Sequence, residues 1–177
     1  MKTFIATCIC MICVRYSTAQ QRPAGEMKTK ERSNTVEISG EVLYPKILTV
    51  DSLLQMHPVK IKNYHLTKGA GRDSTVFPSS QGVLLKDILS ACTIRQADHK
   101  DRNFYMSAYA TDGYKATFSW AELFDGITGD NTYIVYEQNN QPIPDDKGAM
   151  ILICASDYIT GVRHVYRLHG IKVCRAQ

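Results

Sequence analysis

The chain has 177 residues, of which 44% are hydrophobic, and its 21 Lys and Arg residues against 17 Asp and Glu give a net charge of +4. This charge is small and scattered, and no basic cluster is interleaved with aromatic residues, so the composition excludes a nucleic-acid-binding protein. A chain of this length holds one hydrophobic core, and no internal repeat or linker divides it.

The first 19 residues have the three parts of a removable signal peptide. Lys2 supplies the positive charge, an apolar run follows from Phe4 to Val14, and small residues ending at Ala19 form the cleavage site. A retained membrane anchor is the alternative, but a run of roughly eleven residues is well short of the roughly 20 that a spanning helix needs. We therefore predict a Sec-type leader cleaved after Ala19, and a secreted or periplasmic protein that is not embedded in the membrane.

Cleavage there removes half of the six cysteines and leaves Cys92, Cys154 and Cys174. In an oxidising compartment, this set allows one disulfide with one free thiol, or three buried thiols. A bridge between Cys154 and Cys174 is one option, because both lie in strand-like segments near the C-terminus. Cys92 ends an amphipathic helix and Cys154 lies within an apolar strand, which favours small buried side chains over metal ligands.

Residues 20–35 are polar and without periodicity, which predicts a disordered leader before a domain over residues 36–177. Helices are expected after a cap at Thr49 or Asp51, over residues 83–91, and after Ser119, whose capping box includes Glu122. Strands are predicted over 36–42, 60–66, 104–110, 114–118, 133–137, 149–155 and 165–173. The apolar run 149–155 is expected to be buried on both faces. This mixed order, without regular βαβ alternation, indicates an α+β domain.

The segment Thr67–Gly82 is rich in Gly, Ser and Pro and is predicted to be a long loop, broken at most by a short strand. Lys68 and Arg72 flank two glycines there, so exposed amides and two cations are available to an anionic group. The alternative is a flexible, solvated loop. Lys68 and Arg72 are the candidate charge partners of a ligand.

Further candidate ligand-binding residues follow in the central strand and the turn after it. Tyr109 lies on one face of the strand 104–110, and Asp112 and Tyr114 lie at and beyond the Asp112-Gly113 turn. For the tyrosines, ordinary packing in the sheet is the alternative. Arg163 precedes the last strand, and in this hypothesis its side chain points toward a cleft between the 68–82 loop and the Asp112-Gly113 turn. The alternative is a solvent-exposed arginine on the surface.

Common catalytic and metal-binding motifs are absent from the sequence. It has no glycine-rich phosphate loop, no Cys-x-x-Cys outside the leader, no His-Glu-x-x-His and no Gly-x-Ser-x-Gly. The histidines are scattered, and His164 and His169 fall on opposite faces of a strand. No metal site is predicted.

Several short phrases between Val36 and Val173 occur in a specific order. QGVLLKDIL at 81–89 covers most of the predicted helix, ATDGY at 110–114 is the turn after the central strand, and IVYEQNNQPIP at 134–144 is a strand with the turn that follows it. Lys147-Gly148 precedes the strand 151–155, and the pattern of 165–173 closes the domain. These phrases and their order resemble the molybdopterin-binding domain of the sulfite oxidase family, whose corresponding helix reads Gly-Val-x-Leu-x-x-Leu-Leu. The resemblance implies the sulfite oxidase fold, a mixed β-sheet with short flanking helices.

The positions that bind the cofactor in this family differ here. After the strand that corresponds to 60–66, the family has a cysteine thiolate that ligates molybdenum, whereas this chain reads LTKGAGR at 66–72. Lys147 stands where the family has a His before Gly, and an aliphatic residue near Ile151 stands where the family has an Arg on the following strand. Tyr166-Arg167 occupies the position of the family's Lys-Trp pair. Several cofactor contacts are therefore missing together.

Three functions stay open at this point. The first is a cofactor-free domain that binds a small anionic or polar ligand between the 68–82 loop and the Asp112-Gly113 hairpin. The second is a molybdopterin-dependent oxidoreductase, in which Cys92 or Cys154 has to reach the metal. The third is a structural or interaction subunit whose protein partner covers the cleft. The resemblance implies a twin-arginine leader for exported enzymes loaded with cofactor, and a leader with Lys2 alone favours the first function.

Overall fold

Two β-sheets and three short helices make up the part of the chain that the computed structural model describes, residues 32–176. The strands are β1 Val36–Gly40, β2 Lys46–Leu48, β3 Val59–Lys68, β4 Asp73–Leu84, β5 Phe104–Ala110, β6 Lys115–Ser119, β7 Thr132–Gln138, β8 Gln141–Pro142, β9 Ile151–Cys154 and β10 Leu168–Arg175. The helices are α1 Val50–Leu54, α2 Leu85–Cys92 and α3 Trp120–Phe124. The predicted signal peptide and the leader up to residue 31 lie outside the described residues.

The first sheet has the strand order β2-β1-β10-β5-β6, and the second has the order β3-β4-β7-β8, with β9 also paired to β7. The first and last strands, β1 and β10, pair in parallel, with Ile38 opposite Ile171. Every other strand pair is antiparallel. The expected α+β class is confirmed, and the first of the two sheets is mixed because β1 and β10 pair in parallel.

The main hydrophobic core includes residues of both sheets, among them Ile38 and Met106 from the first and Ile134 and Leu152 from the second. Helix α2 buries its apolar face in the same core. A smaller cluster includes Ile61, Tyr64 and Leu66 of β3 with alternate residues of β7 and β9. Because β9 contributes side chains to both clusters, it is buried on both faces, as predicted for the apolar run.

The predicted helix caps are confirmed at Thr49 and Ser119. The Thr49 hydroxyl accepts a hydrogen bond from Ser52 N, and the Ser119 hydroxyl accepts one from Glu122 N at 3.2 Å. The Glu122 carboxylate in turn accepts a hydrogen bond from Ser119 N at 2.8 Å. These reciprocal bonds satisfy amide groups that would otherwise lack partners in the first turn of α1 and α3. None of the helices in residues 32–176 is long and apolar enough to cross a membrane.

The prediction of a long loop over Thr67–Gly82 is wrong. β3 and β4 form a long antiparallel hairpin, paired from Val59 opposite Gly82 to Lys68 opposite Asp73, with a 3₁₀ turn at Gly69–Gly71. Pro78 stands opposite Asn63, the one position within this hairpin that is not paired; proline has no N–H to donate, and Asn63 has a φ of 50°. Cross-strand pairing thus outweighs a composition that favours loops.

The last predicted strand is also divided. Val165 forms a single bridge with Leu152, and β10 begins only at Leu168. Between them, Arg167 has a φ of 48°, which breaks the extended conformation. Its backbone N–H donates to Lys147 O at 2.6 Å, so this break is held by the 3₁₀ turn Asp145–Lys147.

Two smaller differences concern the domain start and the cysteines. Ser33 is buried and its carbonyl accepts a hydrogen bond from Ala149 N, so packing begins before the predicted start at residue 36. Cys92, Cys154 and Cys174 are all free. Cys154 lies in the second sheet and Cys174 in the first, and the disulfide considered between them is not formed.

Candidate functional site

A pocket of about 230 Å³ lies between the turn after β5 and the segment that precedes β10. It is lined by Asp112, Tyr114, Gly161, His164, Tyr166 and Arg167. We call it the Tyr166 pocket. The break in the last strand produces it, because the irregular backbone there presents consecutive side chains to one side of the molecule.

His164 is the most deeply buried side chain of the pocket, with 5% of its surface exposed. Its Nδ1 lies 3.0 Å from the Tyr64 hydroxyl, while its Nε2 is buried and has no hydrogen-bond partner. Burial, reinforced by the charges of Lys68 and Lys147, lowers the pKa of His164 to about 3. Burial also raises the pKa of Tyr64 far above its ordinary value. Both side chains are therefore uncharged at neutral pH.

Two ammonium groups face the ring of Tyr166. The Nζ atom of Lys68 lies 5.8 Å from the ring centroid and that of Lys147 lies 5.4 Å from it. Neither lysine forms an ion pair with a carboxylate among residues 32–176. The ring also packs against His164, with a centroid separation of 4.3 Å. Two cations thus flank the pocket, and within residues 32–176 their recognisable partner is the aromatic face of Tyr166.

Asp112 and Arg167 form an ion pair across the pocket. The Arg167 guanidinium also donates to Asp146 O at 2.8 Å, but its Nε is buried without a partner. The hydrogen bond from Arg167 is the main reason that the pKa of Asp112 lies below its ordinary value. Tyr114, beyond the turn, donates its hydroxyl to Val162 O at 2.6 Å. Asp112 is therefore a charged carboxylate that is already engaged.

The 3₁₀ turn Thr160–Arg163 holds the pocket against the end of β3. The Thr160 hydroxyl accepts from Thr67 N at 2.8 Å and donates to His65 O at 2.6 Å. A Cβ on Gly161 would lie 2.6 Å from Thr67 O, so this close approach requires glycine. The contact positions Lys68, at the end of the hairpin, beside the pocket.

The structure brings three of the predicted ligand-binding residues together, since Lys68 lies at the rim and Asp112 and Tyr114 in the wall. Arg72 lies in the exposed hairpin turn, where its Nε donates to Gly69 O. Arg163 is engaged elsewhere, because its guanidinium pairs with Asp157 and Glu122.

Tyr109 lies on the outer face of the first sheet, in a separate hollow that also includes Tyr105 and Lys172. Its ring packs against Gly170 and edge-on against His169. This position is the consequence of strand alternation, because the core side of β5 carries the small and apolar residues between the tyrosines.

Sequence reasoning missed His164, Tyr166 and Lys147 as members of one site. Lys147 and the Tyr166-Arg167 pair were noted only as departures from the family pattern. Their correspondence to cofactor-contacting positions was the available signal, since such positions lie around one pocket in a shared fold. His164 was treated as part of a regular strand.

A larger groove of about 420 Å³ runs along β3 from Lys60 to Thr67. Its lysines, Lys60 and Lys62, are exposed to solvent, as Lys68 is. None of the buried polar atoms without a partner in residues 32–176 belongs to a residue that lines it. We therefore regard the smaller Tyr166 pocket as the candidate site.

A family model described as "Oxidoreductase molybdopterin binding domain" matches residues 24–177. The chain belongs to this family. A comparison with curated proteins gives no match.

Among solved structures, the fold of this family member is similar to the crystal structure of the sulfane dehydrogenase SoxCD from Paracoccus pantotrophus. The TM-score is 0.60 and the sequence identity is 13%, over 82% of this chain and 39% of that chain. At this identity the likeness shows the fold alone, and this chain spans well under half the length of that protein. The fold that the sequence resemblance implied is confirmed.

The family description raises the question of whether the pocket suits a molybdenum–pterin cofactor. None of Cys92, Cys154 and Cys174 lines the Tyr166 pocket, and the first two are fully buried in the core. The end of β3, where the resemblance places the thiolate, carries Lys68, and a protonated ammonium has no lone pair for a metal. The donor set does not fit a thiolate-ligated molybdenum.

Proposed function

We propose that this protein is an exported domain that binds a small anionic ligand in the Tyr166 pocket and works without the molybdenum cofactor of its family. The observation that carries this proposal is the pair of ammonium groups, Lys68 and Lys147, which face one ring and have no carboxylate partner in the described residues. Two unpaired cations at one pocket repel each other, and an anion bound between them relieves that repulsion.

The remaining charges at the pocket support the same conclusion. Arg167 and Asp112 neutralise each other, so the two lysines leave the pocket with a positive charge. A partly enclosed site of one charge sign concentrates ions of the opposite sign. Protein donors in such a site bind carboxylate, sulfate or phosphate oxygens through charge-assisted hydrogen bonds.

Two features support the absence of the cofactor and the location outside the cytoplasm. The pocket lacks a thiolate, and the leader has a single lysine in place of a twin-arginine pair. A chain that crosses the membrane unfolded leaves the cytoplasm before it can fold around a pterin.

The first experiment measures sulfate binding by isothermal titration calorimetry at constant ionic strength. Lys68→Ala combined with Lys147→Ala is expected to weaken binding at least tenfold. Lys60→Ala combined with Lys62→Ala is the matched control, because it removes the same charge from the neighbouring groove, and it is expected to change the Kd less than twofold. Equal losses in both double variants would refute the assignment of the site.

The second experiment is elemental analysis of the protein purified from the compartment in which it accumulates. Stoichiometric molybdenum would overturn the cofactor-free proposal in favour of a molybdopterin-dependent oxidoreductase. If sulfate, phosphate and acetate all fail to bind and no molybdenum is present, the role of a structural or interaction subunit takes precedence.

A further inference from the structure

The polar groups around the Tyr166 pocket that lack partners have a common character. The ammonium groups of Lys68 and Lys147 are donors, and so is the buried Arg167 Nε. The other buried atom without a partner is His164 Nε2. The carboxylate of Asp112, in contrast, already accepts from Arg167. A ligand for this pocket must therefore supply acceptors.

The tautomer of His164 decides whether Nε2 joins this set. The Tyr64 hydroxyl keeps its proton, because burial raises its pKa. When that hydroxyl donates to Nδ1, over the 3.0 Å separation, the single proton of the neutral imidazole resides on Nε2. Nε2 is then a buried N–H donor without an acceptor, which is a costly arrangement that a bound oxygen would correct.

We propose that the ligand of the Tyr166 pocket carries an oxyanion group, a carboxylate, sulfate or phosphate, that accepts a hydrogen bond from His164 Nε2–H while Lys68 and Lys147 balance its charge. This inference rests on the proposed function and specifies its ligand class. His164 supplies a directional donor that does not add a third charge, and the two lysines supply the electrostatic attraction.

The size of the pocket favours a polyatomic group over a halide ion. Its volume of about 230 Å³ is several times the roughly 30 Å³ that one water molecule occupies. Donors that approach from His164, Lys68 and Lys147 are better satisfied by several oxygens than by one spherical ion. The ligand is accordingly a free oxyanion or a small molecule that carries one.

Tyr166 is the cover of this site. The Nε2 atom of His164 is closed to solvent, and the Tyr166 ring packs against the imidazole with a centroid separation of 4.3 Å. The same ring faces both ammonium groups. The proposed contact requires this ring to turn aside, and we expect the ammonium groups then to exchange their contact with the aromatic face for the anion.

Nuclear magnetic resonance of the imidazole nitrogens tests the inference in the wild-type protein. Long-range ¹H–¹⁵N spectra are expected to show His164 with its proton on Nε2. Addition of sodium sulfate, against sodium chloride at equal ionic strength, should shift the His164 Nε2 resonance along a saturable curve whose midpoint equals the calorimetric Kd. A proton on Nδ1, or an Nε2 resonance that stays fixed at saturating sulfate, would overturn the inference.

Two substitutions of His164 provide a second test. The amide nitrogen of His164→Gln lies near the position of Nε2 and retains a donor there, whereas that of His164→Asn lies near Nδ1. His164→Asn is expected to weaken sulfate binding about tenfold or more. His164→Gln should stay within about threefold of the wild type, and equal Kd values for the two variants would contradict the role of Nε2. Thermal denaturation verifies that both variants fold.

Tyr166→Ala removes the cover and is expected to bind sulfate at least as tightly as the wild type. A loss as large as that of His164→Asn would show that the ring binds the ligand and does not cover the site.

The outcomes of these experiments also separate the two proposals. If sulfate binding requires Lys68 and Lys147 but does not shift the His164 Nε2 resonance, the proposed hydrogen bond from His164 is refuted and the anion-binding function stands. If sulfate, phosphate and acetate do not bind at all, the function itself fails.

Discussion

Acidification from pH 7 to pH 4.5 is expected to destabilise the fold through His164. This histidine is buried and lies near the positive charges of Lys68 and Lys147, and its pKa in the folded protein is about 3. In the unfolded chain it has the ordinary pKa of about 6.5. Between these two values only the unfolded state takes up the proton, so the free energy of unfolding falls as the pH falls.

The size of this effect follows from the two pKa values. At pH 7 folded His164 is unprotonated and the unfolded histidine is about one quarter protonated, whereas at pH 4.5 the unfolded histidine is almost fully protonated and folded His164 remains largely neutral. The linkage relation then gives a loss of about 2.5 kcal/mol over this interval. The loss depends mainly on the unfolded pKa, because the folded pKa lies well below the lower end of the interval.

Urea unfolding at a series of pH values, followed by circular dichroism, measures the effect. Paired carboxylates such as Asp112 and Glu122, whose pKa values are also lowered in the fold, add their own loss at acidic pH. His164→Gln retains those carboxylates and removes the histidine, so the difference between the two pH profiles isolates His164. The wild type should lose about 2.5 kcal/mol more than the variant between pH 7 and 4.5. Parallel profiles would refute the buried, uncharged state of His164.

Three further predictions concern the surroundings of the pocket. Gly161→Ala should lower the free energy of unfolding by about 1–3 kcal/mol in urea titrations, because the added Cβ collides with Thr67 O. Arg72→Ala should leave the calorimetric Kd for sulfate within twofold of the wild type, because Arg72 lies in the exposed turn, and a larger change would place it in the site. Asp112→Asn should tighten sulfate binding several-fold, since Arg167 becomes available, while the loss of a partly exposed ion pair lowers stability by about 1 kcal/mol. Weaker sulfate binding would contradict this assignment of charges.

Local signals in the sequence predicted the elements that local interactions dominate. The strand Phe104–Ala110 has the predicted bounds, and Ser119 caps α3 with Glu122 as expected. The apolar run around β9 is buried on both faces. In each case the contacts that determine the element are made between residues a few positions apart, or follow from hydrophobicity alone. The local sequence pattern is therefore enough to predict the element.

The hairpin β3–β4 and the interrupted last strand show where such signals are insufficient. The Gly, Ser and Pro residues of 67–82 favour a loop, but pairing with β3 from Val59 to Lys68, interrupted only at Asn63, provides backbone partners that outweigh this preference. Likewise, 165–173 was predicted as one continuous strand, yet a bond from Arg167 N to Lys147 O interrupts it. Both outcomes depend on contacts between residues distant in the chain.

The sequence by itself determined the family and the α+β class, and it predicted the exported leader and the missing thiolate at the end of β3. Only the tertiary structure decided which side chains form the Tyr166 pocket. Lys68, Lys147 and His164 come from three separate segments and meet around one ring because the hairpin, the 3₁₀ turn and the broken strand pack together. The burial of His164 and the lack of carboxylate partners for Lys68 and Lys147 arise from this packing. They cannot be predicted from the order of residue types in the sequence.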